Sequence, residues 1–221
     1  MKRNIVSVIP AQTKNRYSKK GDLEDFSGVT LLEWKISQIK RLKYVDKIFV
    51  LSKEKKIEKI CKENDVYFLK RPKNSSIANL FKFVGKRFKS SDILWTNPSS
   101  PFLNEETIFK VIKKYIKKNF YSDGIVTTRD IREYIIFKNK FINEKLDKAF
   151  VSRQEMKNTK MLTNGVYLSS NKNYIKGFPF GEKPMLHDID WFESIEVKEC
   201  KNSKIYKMFI ELYFHLNSNN R

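Results

Sequence analysis

One pattern constrains the fold of this chain more than any other: short β-branched runs alternate with stretches of helical period. Ile5-Val6-Ser7-Val8-Ile9 is apolar and is stopped by Pro10, as expected of a buried strand that opens into a loop. Leu31 to Leu42 then places Leu31, Leu32, Trp34, Ile36, Ile39 and Leu42 at near-helical spacing. Lys47 to Leu51 reads as a second strand, Lys53 to Glu63 as a helix and Val66 to Leu69 as a third strand. Parallel neighbours need crossover connections, so a β-α-β-α-β rhythm predicts a mostly parallel sheet covered on both faces.

The rhythm continues beyond the Arg71-Pro72 turn. Ile77 to Phe88 repeats the helical period, Asp92 to Thr96 is a fourth strand, and Asn97-Pro98-Ser99-Ser100-Pro101 closes it as a polar loop. Asn104 is placed to cap a helix running to about Lys118, with Glu105 and Glu106 in the first turn, where the macrodipole favours acids. Gly124 to Thr128 is a fifth strand. Past Asp130 the pattern changes: Tyr134 to Phe137 and Lys140 to Ile142 form a short hairpin, and Asp147 to Thr163 reads as irregular and charged. Residues 130–163, too charged for the central sheet yet carrying Phe137, Phe141, Ile142, Leu146 and Phe150, are expected to form a small dimerisation arm on a single domain spanning 1–221. Asn164 to Leu168 returns to strand, Gly177 to Pro184 is a loop, and Asp190 to Glu199 is a short helix. Ile205 to Leu216 is an amphipathic helix, and 217–221 is a frayed tail.

Composition narrows the class. The 221 residues are 40% hydrophobic and 14% aromatic, spread from end to end, which excludes global disorder. A formal charge of +20 raises the possibility of a polyanionic partner, but the lysines are scattered through nearly every helix beside glutamates, as on solvated faces. No nucleic-acid motif accompanies them, and neither nucleic acid nor membrane is expected as a partner. Cys61 and Cys200 lack metal-type spacing. The apolar run after Met1-Lys2-Arg3 ends too soon for a signal peptide, and no stretch approaches the roughly 20 apolar residues that span a bilayer. A cytoplasmic protein is expected.

In an open α/β sheet, ligands bind at the carboxyl ends of the strands. Four loops lie there: Pro10 to Gly28, Lys70 to Ser76, Asn97 to Leu103 and the segment around Asp188. Asp188 and Asp190, two apart, would point both carboxylates to one side of a strand end, as a hard cation requires; Asp190 with Glu193 is equally a capping pair. Arg71 stands before a proline turn, and Ser99 and Ser100 lie between two prolines, positions that turn chemistry alone would also explain.

The order of these elements resembles the acylneuraminate cytidylyltransferases, or CMP-sialic acid synthetases. Val8-Ile9-Pro10-Ala11, a basic loop, then Gly28 and Leu31 lie over that family's I-I-P-A-R-x-G-S-K-x-x-x-x-K-N and G-x-P-L elements without a gap. Lys70-Arg71-Pro72 is similar to its R-P segment, Asn97 to Pro101 to its Q-P-T-S-P loop, Arg153-Gln154 to its R-R-Q, Asn164 to Tyr167 to its N-G-A-I-Y, and Asp188-Ile189-Asp190 to its D-I-D. The resemblance implies a three-layer α/β/α nucleotidyltransferase of Rossmann-like, mostly parallel type. The enzyme would transfer CMP from CTP to a nonulosonic sugar acid for a bacterial surface glycan, releasing pyrophosphate, as a homodimer. It further implies Mg²⁺ on Asp188 and Asp190. Nucleotide contacts would come from Pro10, Ala11, Gln12, Arg16, Lys20, Asp22, Arg71, Asn97, Ser99 and Ser100, acceptor contacts from Gln154 and Asn164, and catalysis from Arg16, Asp188 and Asp190.

The phosphate loop departs from that pattern. Gln12 stands for the arginine, Thr13, Lys14 and Asn15 replace the glycine-serine stretch, and Gly21-Asp22 replaces the Lys-Asn pair, with Glu24 and Asp25 close behind. Arg16 keeps the charge of the loop lysine. Without the glycines the backbone approaches phosphates less closely, so side-chain cations would have to substitute. The changes leave open a different small acceptor on the same fold, or an inactive relative that acts as a binding partner.

Overall fold

The computed structural model describes residues 4–15, 18–73, 75–117, 121–143, 152–156, 159–197 and 203–218. In chain order the first elements are β1 (Ile5–Pro10), the two-residue strands β2 (Asp25–Phe26) and β3 (Val29–Thr30), α1 (Leu31–Lys40), β4 (Lys47–Ser52), α2 (Lys55–Glu63) and β5 (Tyr67–Lys70). Then come α3 (Ile77–Arg87), β6 (Asp92–Thr96), α4 (Glu105–Ile116), β7 (Gly124–Ile131) and a hairpin of β8 (Ile136–Phe137) and β9 (Lys140–Phe141). The chain continues through β10 (Thr159–Ser170), α5 (Asn171–Lys176), β11 (Pro184–Asp188) and α6 (Ser203–Ser218).

Seven strands make one sheet in the order β11-β7-β10-β6-β1-β4-β5. Every neighbour pair is parallel except those of β10, which runs antiparallel to both β6 and β7. The expected mostly parallel, three-layer fold is what forms. In β1, Ile5 and Ile9 join the core under α1, α2 and α4, while Val6 and Val8 join the core under α3 and α5. That is the period-2 alternation of a strand covered on both faces. A third cluster of Phe26, Leu31, Phe102, Ile195, Ile210 and Tyr213 seats α6 against β2 and the loop after β6. No helix among the described residues is long and apolar enough to cross a membrane.

Helix starts follow capping chemistry. Thr30 opens α1 with a complete capping box to Glu33, Ser76 opens α3, and Asn104 opens α4 by accepting from the Thr107 amide at 2.8 Å.

Four expectations need correction. Thr159 to Leu162 is not irregular but pairs with Thr128 to Ile131, with a bulge before Tyr167. Lys160, in that strand, bridges Asp130 and Asp188 with its ammonium. Trp191 to Ser194 forms turns rather than the first part of a helix, and 198–200 lie outside the described residues. The short strands β2 and β3 and the six-residue α5 were not anticipated, and β11, of which only the end at Asp188 was expected, begins at Pro184 beside β7 at the sheet's edge, where a proline costs no ladder bond. The first residues of the expected frayed tail, Asn217 and Ser218, belong to α6, and 219–221 lie outside the described residues.

Candidate active site

A cleft of about 980 Å³ opens at the carboxyl edge of the parallel strands, at the upper end of the range for small-molecule sites. Of the expected contacts, Pro10, Gln12, Asp22, Arg71, Asn97, Ser99 and Asn164 line it. These come from the ends of β1, β5 and β6, from the loop after β1 and from the bulge midway along β10, so the fold brings together what the sequence holds far apart.

The loop after β6 is fixed from below by one face of α1. Trp34 Nε1 donates to Pro101 O at 3.0 Å, Lys35 Nζ to Ser100 O at 3.0 Å and Gln38 Nε2 to Leu103 O at 3.0 Å. Lys35 is fully buried, and burial pushes its ammonium down to about 7 against a smaller opposing pull from Glu193. On the upper side, Asn97 Nδ2 donates to Asn164 O at 2.8 Å. Asn164 in turn donates to Glu196 Oε1 at 2.7 Å and accepts from the Tyr167 hydroxyl at 2.6 Å. Burial, with Glu196 adding to it, raises that phenol to about 12, so Tyr167 remains a donor. Val197 N donates to Ser99 O at 2.8 Å, which ties the loop to the segment after Asp190. Trp95, Phe81, Phe180 and Tyr206 add aromatic walls.

The loop after β1 is held by carboxylates. Gln12 N donates to Asp22 Oδ2 at 2.8 Å while Asp22 N donates to Gln12 O at 2.8 Å, a reciprocal clamp. Thr13 N donates to Glu54 Oε2 at 3.1 Å, and Ser52 Oγ supports the same oxygen at 3.0 Å. Gly21 has φ +57, and a Cβ there would lie 2.3 Å from Gln12 O. Only glycine lets the turn sit this close to the loop. Asp22 is buried, which lifts its carboxyl to about 7; the Gln12 amide pulls it back in part and Glu54 adds to the rise.

The other expected residues sit elsewhere. Ala11 is buried at the end of β1, with its N–H on Leu51 O. The Ser100 hydroxyl is buried and has no hydrogen-bond partner among the described residues, while its carbonyl accepts from Lys35 and its amide donates to Asn97 O. Lys20 and Gln154 are exposed and do not line the cleft. Arg16 lies outside the described residues.

Asp188 and Asp190 also lie off the cleft lining. Asp188 ends β11; its Oδ1 accepts from Thr128 Oγ1 at 2.7 Å and its Oδ2 from Lys160 Nζ at 2.6 Å. Those two donors hold its carboxyl below the usual carboxylate range. Asp190 accepts from the Glu193 amide at 2.8 Å through Oδ1, the capping role the sequence offered. Among the described residues no three His, Cys, Asp or Glu side chains surround one cation position. Mg²⁺ uses one or two carboxylates and completes its shell with substrate phosphates and water, so an ionised Asp188 with the second Asp190 oxygen fits in donor chemistry. Both Asp188 oxygens already accept, one from Thr128 and one from Lys160, so a cation there would share them with these donors.

Sequence reading missed Glu54, Lys35, Tyr167 and Glu196. Glu54 was findable, because it follows β4 and the strand-end rule applies to that strand as to the others.

Residues 9–176 match the cytidylyltransferase family model. A comparison with curated proteins returns no match. Among solved structures, 4-diphosphocytidyl-2C-methyl-D-erythritol synthase from Anaerococcus prevotii superposes with a TM-score of 0.66 at 14% identity, over 96% of each chain. A CMP:2-keto-3-deoxy-manno-octonic acid synthetase complexed with CTP gives 0.68 at 9% identity, over 95% of this chain and 98% of that one. At these identities the likeness establishes the nucleotidyltransferase fold. The family match covers most of the chain, from β1 to α5, and the chain therefore belongs to the cytidylyltransferase family, enzymes that use CTP as nucleotidyl donor.

Proposed function

We propose that this enzyme transfers CMP from CTP to a sialic-acid-like sugar acid or a related small acceptor and releases pyrophosphate, serving surface glycan synthesis. The observation that carries the reading is the convergence of Pro10, Gln12, Asp22, Arg71, Asn97, Ser99 and Asn164 on one cleft at the carboxyl edge of the sheet. The acceptor oxygen attacks the α-phosphorus in line with the leaving pyrophosphate, so the protein's tasks are positioning and charge compensation. Arg71, on the cleft wall, supplies a fixed cation, and Asn97 supplies an amide oriented by Asn164 and Trp95. Mg²⁺ is the proposed cofactor: Asp188 and Asp190 would hold it, and it would offset phosphate charge.

Binding of a ligand to the folded state alone stabilises that state by mass action, by about 2.7 kcal/mol at a hundredfold excess over Kd. CTP with Mg²⁺ should therefore raise Tm more than ATP, GTP or UTP. Equal shifts for all four, or none, would remove the cytidylyl assignment from this cleft.

A different acceptor on the same fold is favoured by one feature: Glu196 lines the cleft and its carboxylate takes the Asn164 amide. That amide is the group expected to receive a sugar acid. The homodimer also remains part of the proposal. Its support is the β8–β9 hairpin, which exposes Ile136, Phe137, Phe141 and Ile142; Leu146 and Phe150 lie outside the described residues. Light scattering at micromolar concentration should give twice the chain mass, and a monomer would contradict it.

A further inference from the structure

The amides of Gln12, which lines the cleft, and of Thr13 beside it follow the carboxyl end of β1, a parallel strand that borders the cleft. Both already donate to carboxylates, Gln12 N to Asp22 at 2.8 Å and Thr13 N to Glu54 at 3.1 Å. Neither carboxylate is loosely held. Asp22 sits on the turn that Gly21 packs against the loop, and its own N–H is fastened to Gln12 O at 2.8 Å. Glu54 is braced by Ser52 Oγ at 3.0 Å. A phosphate oxygen reaching these amides must displace a fixed anion, and one that stops short of them meets the field of two carboxylates.

We propose that Asp22 and Glu54 act as built-in occupants of the loop's anion-binding amides and are specificity-determining residues that lower affinity for a polyphosphate chain relative to a nucleoside monophosphate. The proposal rests on the reading that this loop faces the phosphates of a nucleotide. The charged groups around it fit that role. Lys14, Lys19 and Lys20 are exposed on the same loop, Arg71 lines the cleft, and Glu24 is engaged by Ser18 Oγ at 2.5 Å rather than by a backbone amide. Triphosphate binding then depends on side-chain cations, with the backbone withheld. Glycine-lined phosphate loops work the other way, through their backbone. The arrangement also accounts for Gly21-Asp22 as one unit: the glycine brings the turn close and the aspartate fills the amide.

The test uses Asp22→Asn in the full chain, with Glu54→Gln as a second variant. Asparagine keeps an oxygen to accept from Gln12 N and removes the charge. Affinities for CTP, CMP and inorganic tripolyphosphate are measured by calorimetry at pH 8.5, where an acid at about 7 is ionised in the parent. Asp22→Asn should tighten CTP and tripolyphosphate at least tenfold and CMP less than threefold. Glu54→Gln should move them in the same direction and stands alone as the test if Asp22→Asn does not fold. An unchanged ratio of CTP to CMP affinity in the folded variants, or weaker CTP, overturns the proposal while leaving the cytidylyl reading intact. If tripolyphosphate tightens while no cytidine nucleotide binds parent or variant, the loop inference stands and the nucleotide assignment falls.

Discussion

Two aspartates at the carboxyl edge of the sheet behave in opposite ways. Asp22, beside β1, is buried, and desolvation lifts its carboxyl to about 7 although a backbone amide stabilises the charge. Asp188, at the end of β11, is exposed, and the Lys160 ammonium and Thr128 hydroxyl pull its carboxyl down. One carboxylate fastens backbone, and the other keeps its charge at the protein surface, paired with Lys160. The residue type is shared, so what separates the roles is burial and the partner each oxygen meets.

The largest effect should come from removing the charge of Asp188. Asp188→Asn still accepts from Thr128, and Lys160 keeps Asp130, so little stability is at stake in this exposed pair. A hard cation needs the anionic oxygen, and pyrophosphate release should fall roughly a hundredfold or more. A variant working near the parental rate would show that Asp188 serves only to pair Lys160.

The second effect separates the aspartates by pH. The folded value of Asp22 is raised, so its contribution to stability is complete below about 4 and is lost as pH climbs through about 7. Urea denaturation across that window should show stability falling by up to about 1.4 kcal/mol per pH unit from this group, and Asp22→Asn should flatten the slope. Lys35 runs the other way. Its folded value is lowered to about 7, so its contribution is complete above its ordinary 10.5 and is lost as pH falls through about 7. An identical pH profile in parent and Asp22→Asn would refute a buried, protonatable Asp22.

How far the sequence reached follows from the same contrast. Periodicity and caps carried the reading wherever local chemistry decides structure, as in β1, α1, α4 and the Asn104 cap. It fell short where a distant partner decides. Lys160 reads as a loop charge until Asp130 and Asp188 are seen on either side of it. Pro184 reads as a loop residue until β11 is found at an edge beside β7. At the site, the loops named by the strand-end rule hold six of the seven expected cleft residues and the family resemblance added Asn164, but neither gave a sign that Asp22 and Glu54 close the loop amides, because those bonds join residues 10 and 41 positions apart.

The smallest expected change, Asp190→Asn, probes whether one side chain does both jobs. Asp190 Oδ1 caps the turn at the Glu193 amide, 2.8 Å away, and that turn carries structural weight. Glu193 is buried, its carboxyl raised by that burial, and it accepts from Asn104 N at 3.2 Å and Thr107 Oγ1 at 3.1 Å at the start of α4. Losing the cap would therefore loosen the seat of α4, as well as the turn. Asparagine and aspartate cap about equally well, so Asp190→Asn should change stability by less than about 0.5 kcal/mol, whereas Asp190→Ala should cost about 1 kcal/mol. The uncapped oxygen of Asp190 is the one available to a metal, and only the charged form serves a hard cation. Turnover should thus fall in both variants and stability in the alanine variant alone, as read by urea denaturation beside pyrophosphate release. If asparagine costs as much stability as alanine, the cap depends on charge. If asparagine keeps full turnover, Asp190 belongs with Asp22 among the carboxylates that hold backbone, and Asp188 is left as the single carboxylate proposed to hold the metal.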